Sequence, residues 1–250
     1  MTLLGNDTSL DVAGLDRAGL DPAGFPPSPV DRRFDLDLDA LDEEFESHGD
    51  AVLMVKWLAS TFAVDDIVVA SAMEAPVLVD LVSKVIPGIQ VVFLDTGYHF
   101  DETLQTADRV AQRYPIRLTV TPAPPVGDDQ YLTDPDGCCN QRKVVPFERV
   151  RADKAAWISG MRRSDSASRQ GTRFVHRDRN GLVKLNPLAG WTDDDVATYA
   201  EIHDVPLNPL IAEGYPSIGC WPCTQRPLDP SDPRSGRWAN RAKTECGLHL

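Results

Sequence analysis

Short apolar segments alternate with helix-like segments through the first half of the chain, and this order restricts the possible fold more than any other feature. Runs rich in Val, Ile and Leu at residues 66–71, 90–95 and 117–120 have the length and composition of buried strands. Helices are predicted after the first two, at residues 75–82 and 100–113. Such alternation is typical of a parallel sheet with right-handed crossovers. The sequence therefore predicts an α/β fold, with a twisted parallel sheet flanked by helices.

Further segments extend this fold on both sides. Residues 38–62 have the apolar spacing of helices that pack one face on a core, and residues 156–160 resemble another strand. Asn180-Gly181 between two strand-like runs predicts a hairpin. Thr192, followed by three aspartates, predicts the start of a helix, because such side chains accept hydrogen bonds from the amides of the first turn.

The 250 residues suit one domain with extensions. We predict a disordered acidic leader at residues 1–35, the α/β domain at residues 36–230 and a mobile tail at residues 231–250. Residues 1–50 contain 13 acidic and 3 basic residues, whereas residues 51–250 contain 25 acidic and 22 basic residues. A nearly neutral body disfavours nucleic acid and suits a small anion held by local arginines.

The sequence predicts neither a secretory signal nor a membrane segment. No charged region is followed by an apolar one at the start, and no run approaches the roughly 18 apolar residues of a membrane helix. We therefore expect a cytoplasmic protein, and the sequence leaves its oligomeric state open. In that reducing compartment, spaced cysteines are more often metal ligands or reactive thiols than disulfides.

Four of the five cysteines form two pairs, Cys138-Cys139 and Cys220 with Cys223. Two intervening residues let both thiolates of a Cys-x-x-Cys pair point at one ion. Adjacent side chains diverge in a strand but can converge at a bend in a helix, where their wider grip suits a cluster with separated irons. The spacing therefore indicates a metal site and leaves zinc and an iron–sulfur cluster both open.

The fifth cysteine, Cys246, lies four residues from the end of the sequence, where chains are usually mobile. Arg241 and Lys243 precede it and His249 follows it, and this electropositive setting favours the thiolate. Cys246 is either an incidental exposed thiol or a nucleophile on a movable tail. A nucleophile placed there serves a buried substrate and then presents its adduct to a second protein.

Ligands of parallel sheets bind at the carboxyl ends of the strands. Ser71 follows the first predicted strand, and Asp95, Thr96 and Gly97 follow the second. These four residues are therefore candidates for ligand contacts.

Taken in order, several motifs resemble the assimilatory adenylyl-sulfate reductases. They are Leu94-Asp95-Thr96-Gly97-Tyr98, Cys138-Cys139, the segment 215–223 with Cys220 and Cys223, the segment 234–238, and Glu245-Cys246-Gly247-Leu248-His249. The resemblance runs from about residue 50 to the carboxyl end. It implies a sheet of the PP-loop, adenine nucleotide alpha hydrolase-like type, a [4Fe-4S] cluster on Cys138, Cys139, Cys220 and Cys223, and adenosine 5′-phosphosulfate as substrate.

The same resemblance implies a mechanism and a set of binding residues. Cys246 attacks the sulfuryl sulfur, AMP leaves, and thioredoxin or a glutaredoxin-like protein releases sulfite from the resulting S-sulfocysteine. The cluster is expected to act structurally and electrostatically. The resemblance assigns the sulfuryl group to Lys143, Arg234, Arg237 and His249, and adenine and ribose to Leu94, Asp95, Thr96 and Gly97. Arg162 and Arg173 are further candidates for phosphate contact.

One loop departs from the family pattern. After Ser71 the family usually has a glycine, whereas this chain has Ala72, which does not readily adopt the positive φ angles that glycine allows. Three alternatives remain open. They are a phosphoadenylyl-sulfate reductase, a zinc-containing PP-loop ATP pyrophosphatase, and a non-enzymatic metal-binding nucleotide sensor. The phosphoadenylyl-sulfate reductases typically lack the four paired cysteines.

Overall fold

The computed structural model describes residues 36–127, 129–229, 231–239, 241 and 243–249. The predicted leader at residues 1–35 lies outside these residues, so its predicted disorder stays a prediction. The helices are α1 (Leu38–His48), α2 (Ala51–Thr61), α3 (Val77–Val85), α4 (Asp101–Arg113), α5 (Gln130–Thr133), α6 (Pro135–Cys139), α7 (Val145–Arg151) and α8 (Asp193–Ile202). The strands are β1 (Ile67–Ala70), β2 (Gln90–Leu94), β3 (Arg117–Thr121), β4 (Ala156–Ser159), β5 (Val175–Arg177) and β6 (Val183–Leu185).

Within the described residues, these strands form one six-stranded sheet in the order β3-β2-β1-β4-β6-β5. Four neighbouring pairs are parallel, and β5 joins β6 in antiparallel orientation at the edge. Gly181, in the turn between β5 and β6, has a φ of 82°. The predicted parallel α/β sheet is confirmed, and its antiparallel edge strand comes from the predicted hairpin.

The central strands are apolar because helices cover both faces of the sheet. Val68 of β1 and Val92 of β2 are fully buried. They pack in one cluster with Phe147 of α7 and Trp157 of β4, whose rings meet edge to face at 5.1 Å. The tail residue Leu248 packs against this cluster as well, so the sheet supplies part of the surface on which the tail lies.

Side-chain caps begin several of the described helices, among them the helix predicted to start at Thr192. Asp37 accepts a hydrogen bond from the amide of Ala40 at the start of α1, and Asp50 accepts two at the start of α2. Thr192 and Asp195 form a reciprocal capping box at the start of α8. No helix in the described part of the chain is long and apolar enough to cross a membrane.

Candidate active site

The first cysteine pair lies where the helical backbone changes its winding. Cys138 and Cys139 end α6 and are followed by a π-helical turn, Asn140–Val144, which leads into α7. Asp134 accepts a hydrogen bond from the amide of Gly137 and so fixes the start of α6. A π-helical turn widens a helix and is frequent at functional sites. The vicinal cysteines therefore lie at the end of a helix, directly before a turn of wider winding.

The second pair is fastened to the loop that follows β2. Cys220 precedes a short 3-10 turn, Trp221–Cys223, in which the amide of Cys223 donates to the carbonyl of Cys220 at 2.9 Å. The amide of Trp221 donates to the carbonyl of Tyr98 at 2.8 Å. The sulfur of Cys220 also lies 3.3 Å from the Thr96 hydroxyl. The loop at residues 94–98 thus connects the sheet with this cysteine pair.

All four paired cysteines line one cavity. The cavity is lined by Thr96, Tyr98, Tyr131, Pro135, Cys138, Cys139, Arg142, Lys143, Cys220, Pro222, Cys223, Arg237 and Trp238. All five cysteines lie in the described part of the chain, and none forms a disulfide. No three His, Cys, Asp or Glu side chains among the described residues are grouped as ligands of a single metal ion. Four soft sulfur donors around a shared space suit an iron–sulfur cluster.

Positive side chains surround these thiols. Burial raises the pKa of Cys139 to about 11, against the lowering effect of Lys143 and Lys243. Burial alone would lower the pKa of Lys143, but its electrostatic interactions with Cys220 and Cys246 outweigh burial and raise the pKa. Lys143 therefore remains an ammonium at neutral pH. Cationic neighbours of this kind would offset the charge of thiolates bound to a metal.

Arg142 is a site residue that sequence reasoning missed. Its side chain is buried, and its guanidinium donates to the carbonyls of Thr96, Pro124 and Pro125 at 3.0, 3.1 and 2.6 Å. It also lies over the ring of Tyr98, 4.6 Å from the centroid. Arg142 therefore ties the cysteine-bearing helix to the strand-exit loop. Its only sequence signal is its place between Cys139 and Lys143.

The tail brings Cys246 towards the same wall. Cys246 is half-buried, and a Cβ atom built on the neighbouring Gly247 would lie 3.7 Å from Val144, the residue that follows Lys143. Further along the tail, Leu248 packs on the sheet and His249 stacks on Trp157. Burial lowers the pKa of His249 well below its ordinary value, and neighbouring cations lower it further. The predicted nucleophile thus shares its surroundings with the predicted lysine, whereas His249 points its ring at the sheet. The predicted mobility of the tail stays a prediction.

The two predicted tail-proximal arginines lie next to each other. Arg234 donates to the carbonyl of Thr244 at 3.1 Å, and both Arg234 and Arg237 donate to the hydroxyl of Ser217 at 3.4 Å. Arg237 also lines the cysteine cavity. Both guanidinium groups are therefore held close to the cavity and the tail.

Arg162 and Arg173 are not among the residues that line this cavity. Arg162 pairs with Asp165 and Asp193, each at 2.8 Å. Arg173 pairs with Asp39 and Asp42 of α1, at 2.7 and 2.8 Å. Because both guanidinium groups already face carboxylates of the chain, the structure gives no support to their predicted contact with phosphate.

The loops after β1 and β2 lie at neighbouring strand ends, as predicted. The Asp95 carboxylate accepts from the amide of Gly97 at 2.8 Å, and Gly97 has a φ of 73°. The carbonyl of Leu94 accepts from the His99 ring at 2.9 Å, with the ring nitrogen acting as donor. Thr96 is fully buried. These bonds give the second loop a fixed shape.

The loop after β1 has its residue of positive φ at a position other than Ala72. Its left-handed residue is Met73, with a φ of 56° and a side chain that is buried. The Ser71 hydroxyl accepts from the amide of Met73 at 3.4 Å, and Asn208 donates to the carbonyl of Met73 at 3.5 Å. The left-handed residue of this loop is therefore Met73 and not Ala72, and Asn208 supports it.

These features define a class of protein, in which a parallel α/β sheet carries a thiol-based site at the carboxyl ends of its strands. The family model described as the phosphoadenosine phosphosulfate reductase domain matches residues 66–226. The chain belongs to this family. The predicted family and the predicted enzyme class, an oxidoreductase acting on sulfur, are confirmed.

Individual relatives agree with this assignment. The chain is 51% identical over 191 residues to adenosine 5′-phosphosulfate reductase of Mycobacterium tuberculosis, and the alignment covers 73% of this chain and 75% of the relative. It is 45% identical over 206 residues to the Mycolicibacterium smegmatis protein of that name, covering 79% and 87%. Phosphoadenylyl-sulfate reductase from Candida auris, solved as a phosphate complex, is 25% identical, with a TM-score of 0.65 over 75% of this chain and 96% of that one. Candida glabrata FMN adenylyltransferase, at 14% identity and a TM-score of 0.54 over 80% and 71%, shares the fold alone.

Proposed function

We propose that this chain reduces adenosine 5′-phosphosulfate to sulfite and AMP in sulfate assimilation, the route to cysteine. The observation that carries the proposal is a cavity lined by Lys143, Arg237 and four cysteines, with the tail that bears Cys246 packed beside Val144, the residue after Lys143. The relatives at 51% and 45% identity are named for this reductase activity. The structural relative named for the phosphoadenylyl substrate is 25% identical. The higher identity favours adenosine 5′-phosphosulfate as substrate.

The cofactor we propose is a [4Fe-4S] cluster held by Cys138, Cys139, Cys220 and Cys223. Its support is the donor set of four thiols in one cavity, at a widened helical turn and among cationic side chains. When bound, the cluster would supply structural support and a fixed charge distribution beside the substrate pocket. The Lys143 ammonium would interact electrostatically with these thiolates and with the substrate.

The proposed first step transfers the sulfuryl group to the protein. The Cys246 thiolate forms a bond to the sulfuryl sulfur, the bond from sulfur to the bridging phosphate oxygen breaks, and AMP leaves with that electron pair. Lys143 and Arg237 would stabilise the sulfuryl oxygens as charge redistributes, and Arg234 would contribute from beside the tail. Ser71 and the loop at residues 94–97 would hold the nucleotide at the strand ends.

The second step regenerates the thiol. We propose thioredoxin, or a glutaredoxin-like dithiol, as reductant. One of its thiolates attacks the Cys246 sulfur, the sulfur–sulfur bond breaks and sulfite leaves. The second thiol closes a disulfide in the reductant, so the dithiol supplies both electrons and Cys246 returns as a thiolate. This chemistry suits the cytoplasm, where thioredoxin keeps thiols reduced.

The decisive experiment uses protein purified under anaerobic conditions, with iron, acid-labile sulfide and zinc measured before assay. With thioredoxin present, sulfite should form from adenosine 5′-phosphosulfate faster than from the 3′-phosphorylated nucleotide. Cys246→Ser should lower sulfite release by more than about 10³-fold and retain the brown absorbance. Cys139→Ser, the matched control, should lose that absorbance.

The covalent step has its own readout. Without reductant, peptide mass spectrometry should find the sulfonate on Cys246, and thioredoxin should remove it. Undiminished turnover in Cys246→Ser would refute the proposed mechanism. Zinc with ATP turnover would favour an ATP pyrophosphatase instead, and AMP binding that neither yields sulfite nor depends on Cys246 would favour a nucleotide sensor.

A further inference from the structure

The carboxylate of Glu245 is bound by two arginines from separate parts of the chain. Arg169 donates from Nε to one carboxylate oxygen and from Nη2 to the other, both at 2.8 Å. Arg234 donates to the second oxygen at 3.3 Å, and the Ser168 hydroxyl donates to the first at 3.4 Å. The two parallel bonds from Arg169 are the geometry in which a guanidinium binds a carboxylate most strongly.

This ion pair is shielded from water. The side chains of Arg169 and Arg234 are each 13% exposed, and that of Glu245 is 12% exposed. Burial would raise the pKa of Glu245, but its hydrogen bonds and ion pair with Arg169 outweigh burial and lower the pKa. The carboxylate is therefore ionised at neutral pH. Removing one partner of such a buried pair is costly, because the other charge is left poorly solvated.

Arg169 is held in place independently of the tail. It ends the 3-10 turn Ala167–Arg169, and its Nη1 donates to Asp165 at 2.8 Å. Asp165 is in turn paired with Arg162 at 2.8 Å. The loop after β4 thus presents a preorganised guanidinium, and little order has to be gained when Glu245 binds it.

Glu245 immediately precedes Cys246, and the contacts on the other side of Cys246 are of a different kind. Leu248 packs on the core and His249 stacks on Trp157. Cys246 is therefore fixed on one side by an ion pair and on the other by apolar packing. With both contacts made, Cys246 is half-buried, and a Cβ atom built on the next residue, Gly247, would lie 3.7 Å from Val144, which follows Lys143.

We propose that Glu245 and Arg169 form a latch that positions Cys246 beside the helical segment that carries Lys143, and that the latch opens before a reductant reaches the Cys246 sulfur. This inference rests on the proposed function, in which Cys246 is the nucleophile. Glu245 and Arg169 are positioning residues, because they affect the reaction only by setting the position of Cys246. Opening the latch separates the two requirements of the cycle, since the closed tail serves sulfuryl transfer and the open tail serves reduction.

The test is the rate of alkylation of Cys246 by iodoacetamide, followed by peptide mass spectrometry across a pH series in the full, metal-loaded chain without nucleotide. Glu245→Gln keeps the shape and removes the charge, whereas Arg169→Lys keeps the charge and removes the paired bonds. Glu46→Gln is the matched control, because Glu46 pairs with a different arginine, Arg163. Circular dichroism checks that each variant is folded.

We expect the plateau rate at high pH to rise about tenfold in Glu245→Gln, as for the loss of a hydrogen bond to a charged group. Arg169→Lys should lie between this variant and the wild type, and Glu46→Gln should match the wild type. A single-turnover assay of sulfuryl transfer should show a lower rate in Glu245→Gln with little change in nucleotide affinity. That pattern is not expected if the ion pair only supports the fold.

An unchanged plateau in Glu245→Gln would overturn the latch. So would a change confined to the midpoint of the pH profile, since this would reflect only the loss of a nearby charge. An equal rise in Glu46→Gln would do the same. Alkylation needs no substrate, so failure of the proposed function would appear separately, as wild-type protein that forms no sulfite while its latch still responds.

Discussion

The imidazole of His249 stacks on the indole of Trp157, with ring centroids 5.8 Å apart and planes at 11°. The indole Nε1 donates to Asp178 at 2.8 Å, and the Lys184 ammonium lies 4.6 Å from the centroid of the same indole. Burial lowers the pKa of His249 well below 6.5, and Lys184 and Arg169 lower it further. The docked tail therefore carries a neutral imidazole in cationic surroundings.

This relationship predicts a pH dependence of stability. In the unfolded chain His249 gains a proton below about pH 6.5, whereas in the folded chain it stays neutral to a lower pH. The contribution of His249 to the free energy of unfolding should thus be fully present above pH 6.5. It should decrease as the pH falls, by up to about 1.4 kcal/mol per pH unit. His249→Asn should have the shallower dependence, measured by urea unfolding at a series of pH values.

Two other histidines provide the comparison for that experiment. Burial also lowers the pKa of His176, so it contributes equally to the wild type and to His249→Asn. His203 is exposed, and His203→Asn controls for the substitution itself. Parallel stability profiles for the wild type and His249→Asn would contradict the prediction.

Arg142 predicts a link between the fold of the strand-exit loop and metal retention. Arg142→Lys keeps the charge but cannot reach all the carbonyls of residues 96, 124 and 125 that the guanidinium reaches. We expect the free energy of unfolding to fall by about 2–3 kcal/mol, because buried carbonyls lose their donors. Urea unfolding and the iron content of anaerobically purified protein measure both effects. Wild-type stability and iron content would show that these bonds are dispensable.

The strands, the hairpin and the capped start of α8 were predictable because each depends on neighbouring residues. The hairpin, for example, follows from Asn180-Gly181, and Gly181 has the positive φ that such a turn needs. The role of Arg142 was not predictable, because its acceptors lie up to 46 residues away in the chain. The ion pairs of Arg173 with α1 and of Glu245 with Arg169 were not predictable for the same reason, because their partners are also distant in the sequence. A charged residue in a motif does not reveal its partner until the chain is folded.

Lys143 predicts a separation between metal binding and catalysis. Lys143→Met removes the ammonium from the wall of the cysteine cavity. Loss of one preorganised positive group at the reacting oxygens should lower the rate of sulfuryl transfer by about 10²–10³-fold. Lys143→Arg should recover part of this rate because it restores the charge. The iron content and the single-turnover rate are measured together, and a loss of rate that merely follows a loss of iron would contradict a direct role.

A substitution at Gly219 tests whether substrate binding depends on the position of the Arg237 guanidinium. A Cβ atom built on Gly219 would overlap the guanidinium of Arg237, which lines the cysteine cavity. Because this group ends a flexible side chain, Gly219→Ala should leave the fold intact and displace Arg237. We expect the KM for the nucleotide to rise about tenfold, the loss of one charge-assisted hydrogen bond. Gly171→Ala is the matched control, since its Cβ would meet no atom within 4 Å. Steady-state kinetics and thermal unfolding of both variants measure these effects, and an unchanged KM in Gly219→Ala would show that Arg237 does not bind the substrate from its present position.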